Sequence, residues 1–142
     1  MKKLLIINGP NLNLLGVRDR EVYGSRGFED YLTELRTLFE GRAVLDYLQS
    51  NGEGELIDAI HGARENYDGL VLNAGGYTHT SVALADAVGA VAGCGLETVE
   101  VHISNILARE EFRHVSLIAP RCRGSIMGFG LESYRLAVLS FL

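Results

Sequence analysis

Cysteine is scarce in this 142-residue sequence, and the two present, Cys94 and Cys122, stand in no CxxC or Cys/His spacing that would hold a metal. Both are expected to be ordinary reduced thiols. Basic runs are lacking as well. Thirteen Lys and Arg against eighteen Asp and Glu leave a formal net charge of −5, with no cationic stretch to track a phosphate backbone, so nucleic acid is not an expected partner. No apolar run approaches the length that spans a bilayer. The run behind the basic start, Leu4 to Ile7, is broken by Asn8, Gly9 and Pro10 before it could form a signal-peptide core. A cytoplasmic protein without membrane contact is therefore expected. Phosphate-binding fingerprints are missing too: there is no P-loop sequence, and neither Gly9 nor Gly16 belongs to a GxGxxG. Asp and Glu do not cluster with His at metal spacing. Whatever chemistry occurs is expected to be done by side chains, without metal or cofactor.

What is present is a regular alternation. Its length gives one domain, residues 1–142, large enough to bury a single core. Short apolar runs (KLLIIN, AVLDYLQS, GLVLN, ETVEVHIS, VSLIAP) alternate with amphipathic ones such as FEDYLTELRTLF and GELIDAIHGARENY, a pattern of five βα repeats. Phe28, Tyr31, Leu35 and Phe39 fall at helical spacing, as do Leu56, Ile60 and Ala63, so each helix offers one face to a sheet. The expected fold class is α/β: an open doubly wound sheet of five parallel strands with helices on both faces. In that architecture ligands bind outside the carboxyl ends of the strands. The one long irregular segment runs from Gly9 to Gly27, and its part over residues 16–26 is a candidate lid.

Polar residues gather at those strand ends. The first strand ends in NGPNLN, the third in NAGGYTHTS and the fourth in VEVHISN. Alternation puts Glu100, His102 and Ser104 on one side of the fourth strand and Val99, Val101 and Ile103 on the other. Two readings stand open: a wet-faced edge strand, or a site. In NAGGYTHTS the glycine pair lets backbone approach a ligand, while Thr80 or Ser81 can cap the following helix. The plainer alternative is a tight turn in which Asn73 satisfies loop amides. His61, beside the Ile60 stripe, and His114, after a charged run, carry no expected role.

Taken in order, INGPNLNLLG, YG, QSNGEGELID, LNAGGYTHTSVALADA, VEVHISN, AREEFR and GFG resemble the type II 3-dehydroquinate dehydratases over nearly the whole chain. The resemblance implies a flavodoxin-like fold, assembly as a dodecamer built from four trimers, and cofactor-free loss of water from 3-dehydroquinate to give 3-dehydroshikimate. That elimination serves aromatic biosynthesis by the shikimate pathway and quinate breakdown alike. The rival reading is a flavodoxin-like module that binds a flavin or another phosphate ligand in the same crevice.

Carried over by position, the resemblance makes Tyr23 the general base, Arg18 the cation that activates it and His102 the general acid, with Glu100 able to orient the His102 ring. A free phenol has a pKa of about 10. One positive charge about 4 Å away at an effective dielectric near 20 is worth roughly 4 kcal/mol, or about three pK units, enough to make a usable base. Asn11 matches a residue that holds a water at the enolate oxygen, and Asn73 one that contacts substrate and positions the acid. His79 and Arg113 match side chains that grip ring hydroxyls, and the backbone at Ile103 and Ser104 matches a carboxylate cradle. Arg109 matches a lid contact, and Asp86 an acid that reaches a neighbouring subunit's site. The sequence departs from the family pattern in the lid, where R-E-P is common but Arg18 is followed here by Asp19 and Arg20. Arg20 is thus a second candidate for the activating cation, and unbroken spacing from Gly16 to Gly24 favours Arg18. Thr98 likewise stands where proline is frequent, at an expected loss of rigidity only.

Overall fold

The computed structural model describes residues 1–17, 21 and 25–142. Five strands, β1 (Lys2–Asn8), β2 (Ala43–Gln49), β3 (Gly69–Asn73), β4 (Thr98–His102) and β5 (Gly124–Met127), form one sheet. Every pairing is parallel, and the order is β2-β1-β3-β4-β5. This is the flavodoxin-like doubly wound order. Among the described residues there are four α-helices: α1 (Phe28–Leu38), α2 (Glu53–Gly62), α3 (Val82–Gly93) and α4 (Glu132–Ser140).

Alternation along the strands divides the apolar residues into two cores. Leu4, Ile6, Val71, Val99 and Val101 point to one face and pack with Phe28, Tyr31 and Leu35 of α1 and with Tyr134 and Val138 of α4. Leu5, Ile7, Leu70 and Leu72 point to the other and meet Leu56 and Ile60 of α2 and Leu84 and Val88 of α3. Each such side chain, taken fully out of water, contributes roughly 1.5–3 kcal/mol. The helical spacing of Phe28, Tyr31 and Leu35 is therefore what fixes α1 to the sheet. Ser81 is the residue that caps α3, its hydroxyl accepting the Leu84 N–H at 2.9 Å. No helix among the described residues is long and apolar enough to cross a membrane.

Two expectations are corrected. The apolar stretch VSLIAP, Val115 to Pro120, is not the fifth strand; it is a loop running into a short 3₁₀ turn, Ala119–Arg121. The Ser116 hydroxyl accepts the N–H groups of Ile118 and Ala119, which curls the backbone, while Ile118 is buried in the α2/α3 core. The strand is instead the short Gly124–Met127. The crossover from β4 to β5 is also made without an α-helix, by three 3₁₀ turns.

The turns after β1 and β3 approach each other closely, which fixes where a ligand can enter. The Gly9 N–H donates to the Asn73 carbonyl at 2.7 Å. A Cβ on Gly9 would lie 2.6 Å from the Ala74 carbonyl oxygen, so only glycine fits there. Facing it, Gly75 has φ +60°. Strands β2 and β3 lie on opposite sides of β1, so these two turns diverge at a topological switch point, with the crevice above them.

Candidate active site

A cleft of about 280 Å³ opens at the carboxyl ends of β1, β3 and β4. Asn11 lines it from the first turn, Asn73 and His79 from the third strand and its turn, and His102, Ile103 and Ser104 from the fourth. Arg109 and Arg113, from the loop beyond β4, complete the wall. Eight of the residues singled out in the sequence thus share one cavity. Arg18 and Tyr23, with the rival Arg20, lie outside the described residues, as does much of the candidate lid. Asp86 is not on the cleft; it sits on the exposed side of α3, with its carboxylate 3.9 Å from the Arg121 guanidinium.

The wet edge-strand reading of β4 fails. β4 is paired on both sides, and all five of its residues are buried. Glu100 is only 1% exposed, yet its carboxylate is supplied with donors from three directions. Ser116 Oγ donates to Oε2 at 2.5 Å, Ser125 Oγ donates to Oε1 at 2.8 Å, and His102 Nε2 lies 3.3 Å from Oε2. That last contact is close but poorly aligned. Nε2 makes no well-aligned hydrogen bond among the described residues. Burial pushes the Glu100 carboxyl up, but the His102 ring and the two serine hydroxyls more than offset this and hold it below the ordinary carboxylate range. Glu100 is an anion behind the imidazole, and the ring lies between it and the cleft.

Asn11 adopts a left-handed backbone conformation, with φ 70° and ψ −5°, and is the one non-glycine residue with positive φ among those described. Its conformation is braced from β2. Asn51 Oδ1 accepts the Asn11 N–H at 3.1 Å, while Gln49 Nε2 donates to that same oxygen at 3.0 Å and to the Gly9 carbonyl at 3.1 Å. The QSN motif after β2 therefore holds the amide-rich first turn in place.

Asn73 serves the turn and the cleft together. Its Oδ1 accepts the Gly75 N–H at 3.1 Å, the tight-turn role, while its Nδ2 donates to the Tyr134 hydroxyl at 2.9 Å. That hydroxyl in turn donates to Asn8 Oδ1 at 2.7 Å. Asn8 and Tyr134 are wholly buried and Asn73 nearly so, which makes each unmade bond expensive and gives the carboxamide one orientation. Burial also pushes the Tyr134 hydroxyl far up, so it remains a neutral donor.

His79 Nδ1 lies 2.8 Å from the Val115 carbonyl. A carbonyl only accepts, so Nδ1 carries the proton and Nε2 is the nitrogen left for a ligand. Arg113 Nε is 3.3 Å from Glu110 Oε2, and Arg109 Nε is 3.9 Å from the other oxygen of the same carboxylate. His114 Nε2, near the Arg109 carbonyl at 2.9 Å, props this loop, a structural task. Two guanidinium groups and an imidazole on one wall suit an anionic, hydroxyl-rich small molecule. Among the described residues no group of three or more His, Cys, Asp or Glu could hold a metal ion.

Sequence reasoning passed over Tyr134, Asn8, Gln49, Asn51, Ser116 and Ser125. The QSNGEGELID string marked Gln49 and Asn51 and the NGPNLN string marked Asn8 without giving them work, Ser116 stood in VSLIAP as a strand residue, and nothing local pointed to Tyr134 or Ser125.

The family model described as Dehydroquinase class II matches residues 2–142. A Caldicellulosiruptor bescii protein named 3-dehydroquinate dehydratase is 54% identical over 140 residues, covering 97% of this chain and 94% of that one. A protein of the same name from Bacillus pumilus is 52% identical over 139 residues, covering 97% and 92%. The crystal structure of a type II dehydroquinase from Butyrivibrio crossotus superposes with a TM-score of 0.94 at 42% identity, over 99% of this chain and 97% of that one.

Proposed function

The chain belongs to the class II dehydroquinase family, and from that premise we propose that it is a hydro-lyase that eliminates water from 3-dehydroquinate to give 3-dehydroshikimate. The observation that carries this reading is the convergence of Asn11, Asn73, His79, His102 and Arg113 on one cleft, with a buried anionic Glu100 behind His102.

The elimination is anti and stepwise. Tyr23, as phenolate, removes a proton α to the ketone, and the carbonyl carries the electron pair as an enolate. Arg18 is the cation that favours that phenolate, and Arg109 is the lid-contacting arginine. Asn11, fixed by its braced backbone, holds a water that donates to the enolate oxygen. The enolate then reforms the ketone and expels the hydroxyl at the β carbon, which leaves as water after taking a proton from His102. Glu100 sets the plane of that ring, and Asn73 sets its distance from substrate. His79 and Arg113 grip ring hydroxyls, the Ile103–Ser104 backbone cradles the substrate carboxylate, and Asp86 serves the site of a neighbouring subunit in a dodecamer. A cytoplasmic location fits this role.

Incubation with 3-dehydroquinate, with no metal or nucleotide added, should produce the ultraviolet absorbance of the conjugated enone. A flat trace with folded protein would sink the proposal. The rival flavin- or phosphate-binding module predicts that flat trace, with a bound chromophore or phosphate ligand instead.

The choice of activating cation has its own test. A cation lowers the pKa of a neighbouring phenol, so its loss raises that pKa and moves the limb of the rate profile set by phenol ionisation to higher pH. Arg18→Ala should show this move and Arg20→Ala almost none. The reverse pattern assigns the role to Arg20.

A further inference from the structure

The Glu100 carboxylate is held from both flanks by hydroxyls that come from different parts of the chain. Ser116 reaches it from the loop between the second and third 3₁₀ turns of the crossover, 16 residues away, and Ser125 from the edge strand β5, 25 residues away. Ser116 also accepts two backbone N–H groups, so its hydroxyl has structural work in its own loop. Ser125 differs. It is exposed, and the bond to Glu100 Oε1 is the one side-chain hydrogen bond it makes among the described residues. A hydroxyl placed there serves the carboxylate.

We infer that Ser125 is a positioning residue for the proposed elimination: its hydroxyl, donated to Glu100 Oε1, fixes the carboxylate against which the His102 ring is set. The inference rests on the reading of His102 as general acid. The geometry explains why the bond matters. His102 Nε2 and Ser116 Oγ both meet Oε2, at 3.3 and 2.5 Å, so Oε1 is anchored by Ser125. Without that anchor the carboxylate can turn about its terminal torsion, whose profile is broad, and the ring loses its fixed partner. The hydroxyl also favours the ionised carboxylate over the neutral acid. The titratable groups facing Glu100 are His102 from its own strand and Cys122 from the segment before β5. Burial first, and then the Glu100 charge, push the Cys122 thiol up to about 12, so it keeps its proton, and that S–H is already donated to the Ile118 carbonyl at 3.4 Å rather than to the Glu100 carboxylate.

The test uses Ser125→Ala and Ser125→Thr, the second keeping a hydroxyl. Carbon-13 NMR of labelled Glu side chains, assigned with Glu100→Gln, follows Glu100 ionisation in the resting protein. Removing a donor to the anion raises its pKa, so the Glu100 midpoint should move to higher pH in Ser125→Ala and return in Ser125→Thr. With 3-dehydroquinate, the acid limb of kcat/KM should move in the same direction. At neutral pH kcat should fall about tenfold, the worth of one hydrogen bond to a charged group, with KM nearly unchanged. Coincident titrations and rate profiles for wild type and Ser125→Ala would overturn the inference, as would a threonine variant that behaves like the alanine one. A midpoint that moves in a protein that never turns substrate over would instead overturn the assigned reaction, since the NMR measurement needs no turnover.

Discussion

Replacing Tyr23 with phenylalanine is expected to lower kcat by about 10²–10⁴-fold or more, the usual worth of a general base, while the dissociation constant for 3-dehydroquinate changes only a few-fold. In the proposed mechanism the phenol oxygen acts on a carbon-bound proton, so its main contribution comes in the transition state. The cleft walls proposed to hold the substrate, His79, Arg113 and the turn after β4, are untouched by the change. Calorimetric binding beside steady-state rates makes the measurement. Near-normal kcat in this variant would remove Tyr23 from the mechanism.

His102→Ala should reduce dehydration by a similar factor, about 10²–10⁴, but with a different signature. On the proposed mechanism the acid is needed only when the hydroxyl departs. In the proposed order, proton removal by Tyr23 precedes that step, so a His102 variant should still exchange the substrate's α proton with deuterium from solvent while losing little water. Tyr23→Phe should do neither. Proton NMR of 3-dehydroquinate in deuterium oxide separates the two. Loss of exchange in the His102 variant would mean that the ring acts before the enolate forms. The same substitution strips a partner from a carboxylate that is 1% exposed, which lowers stability, so rates are to be compared well below each variant's unfolding temperature.

What could be read from the residues alone was whatever repeats at short range. Leu4 to Ile7, at alternate positions, announce a strand covered on both faces, and Phe28, Tyr31 and Leu35 announce the helix that covers one of them. The cleft was legible because a doubly wound sheet places strand ends together and because Asn11, Asn73 and His102 are costly choices at such ends. VSLIAP misled because its apolar content is real, with Ile118 fully buried, while the bonds that curl it run through one serine hydroxyl. β5 escaped because Gly-Ser-Ile-Met is short and half exposed. Tyr134 packs in the core on α4. Its hydroxyl acquires meaning only through Asn8 and Asn73, partners that no local pattern connects to it. The left-handed turn at Asn11 depends in the same way on Gln49 and Asn51, about 40 positions away.

The bond between Tyr134 and Asn8 joins residues 126 positions apart. During synthesis the first strand leaves the ribosome long before the residue that satisfies its last amide has been translated. Asn8, and Asn73 with it, must stay hydrated until then, and contacts of such sequence separation are the slow ones to form. The floor beneath the cleft is therefore among the final parts of the protein to set, and a nascent chain released before the last helix emerges would hold a sheet whose asparagines lack that partner.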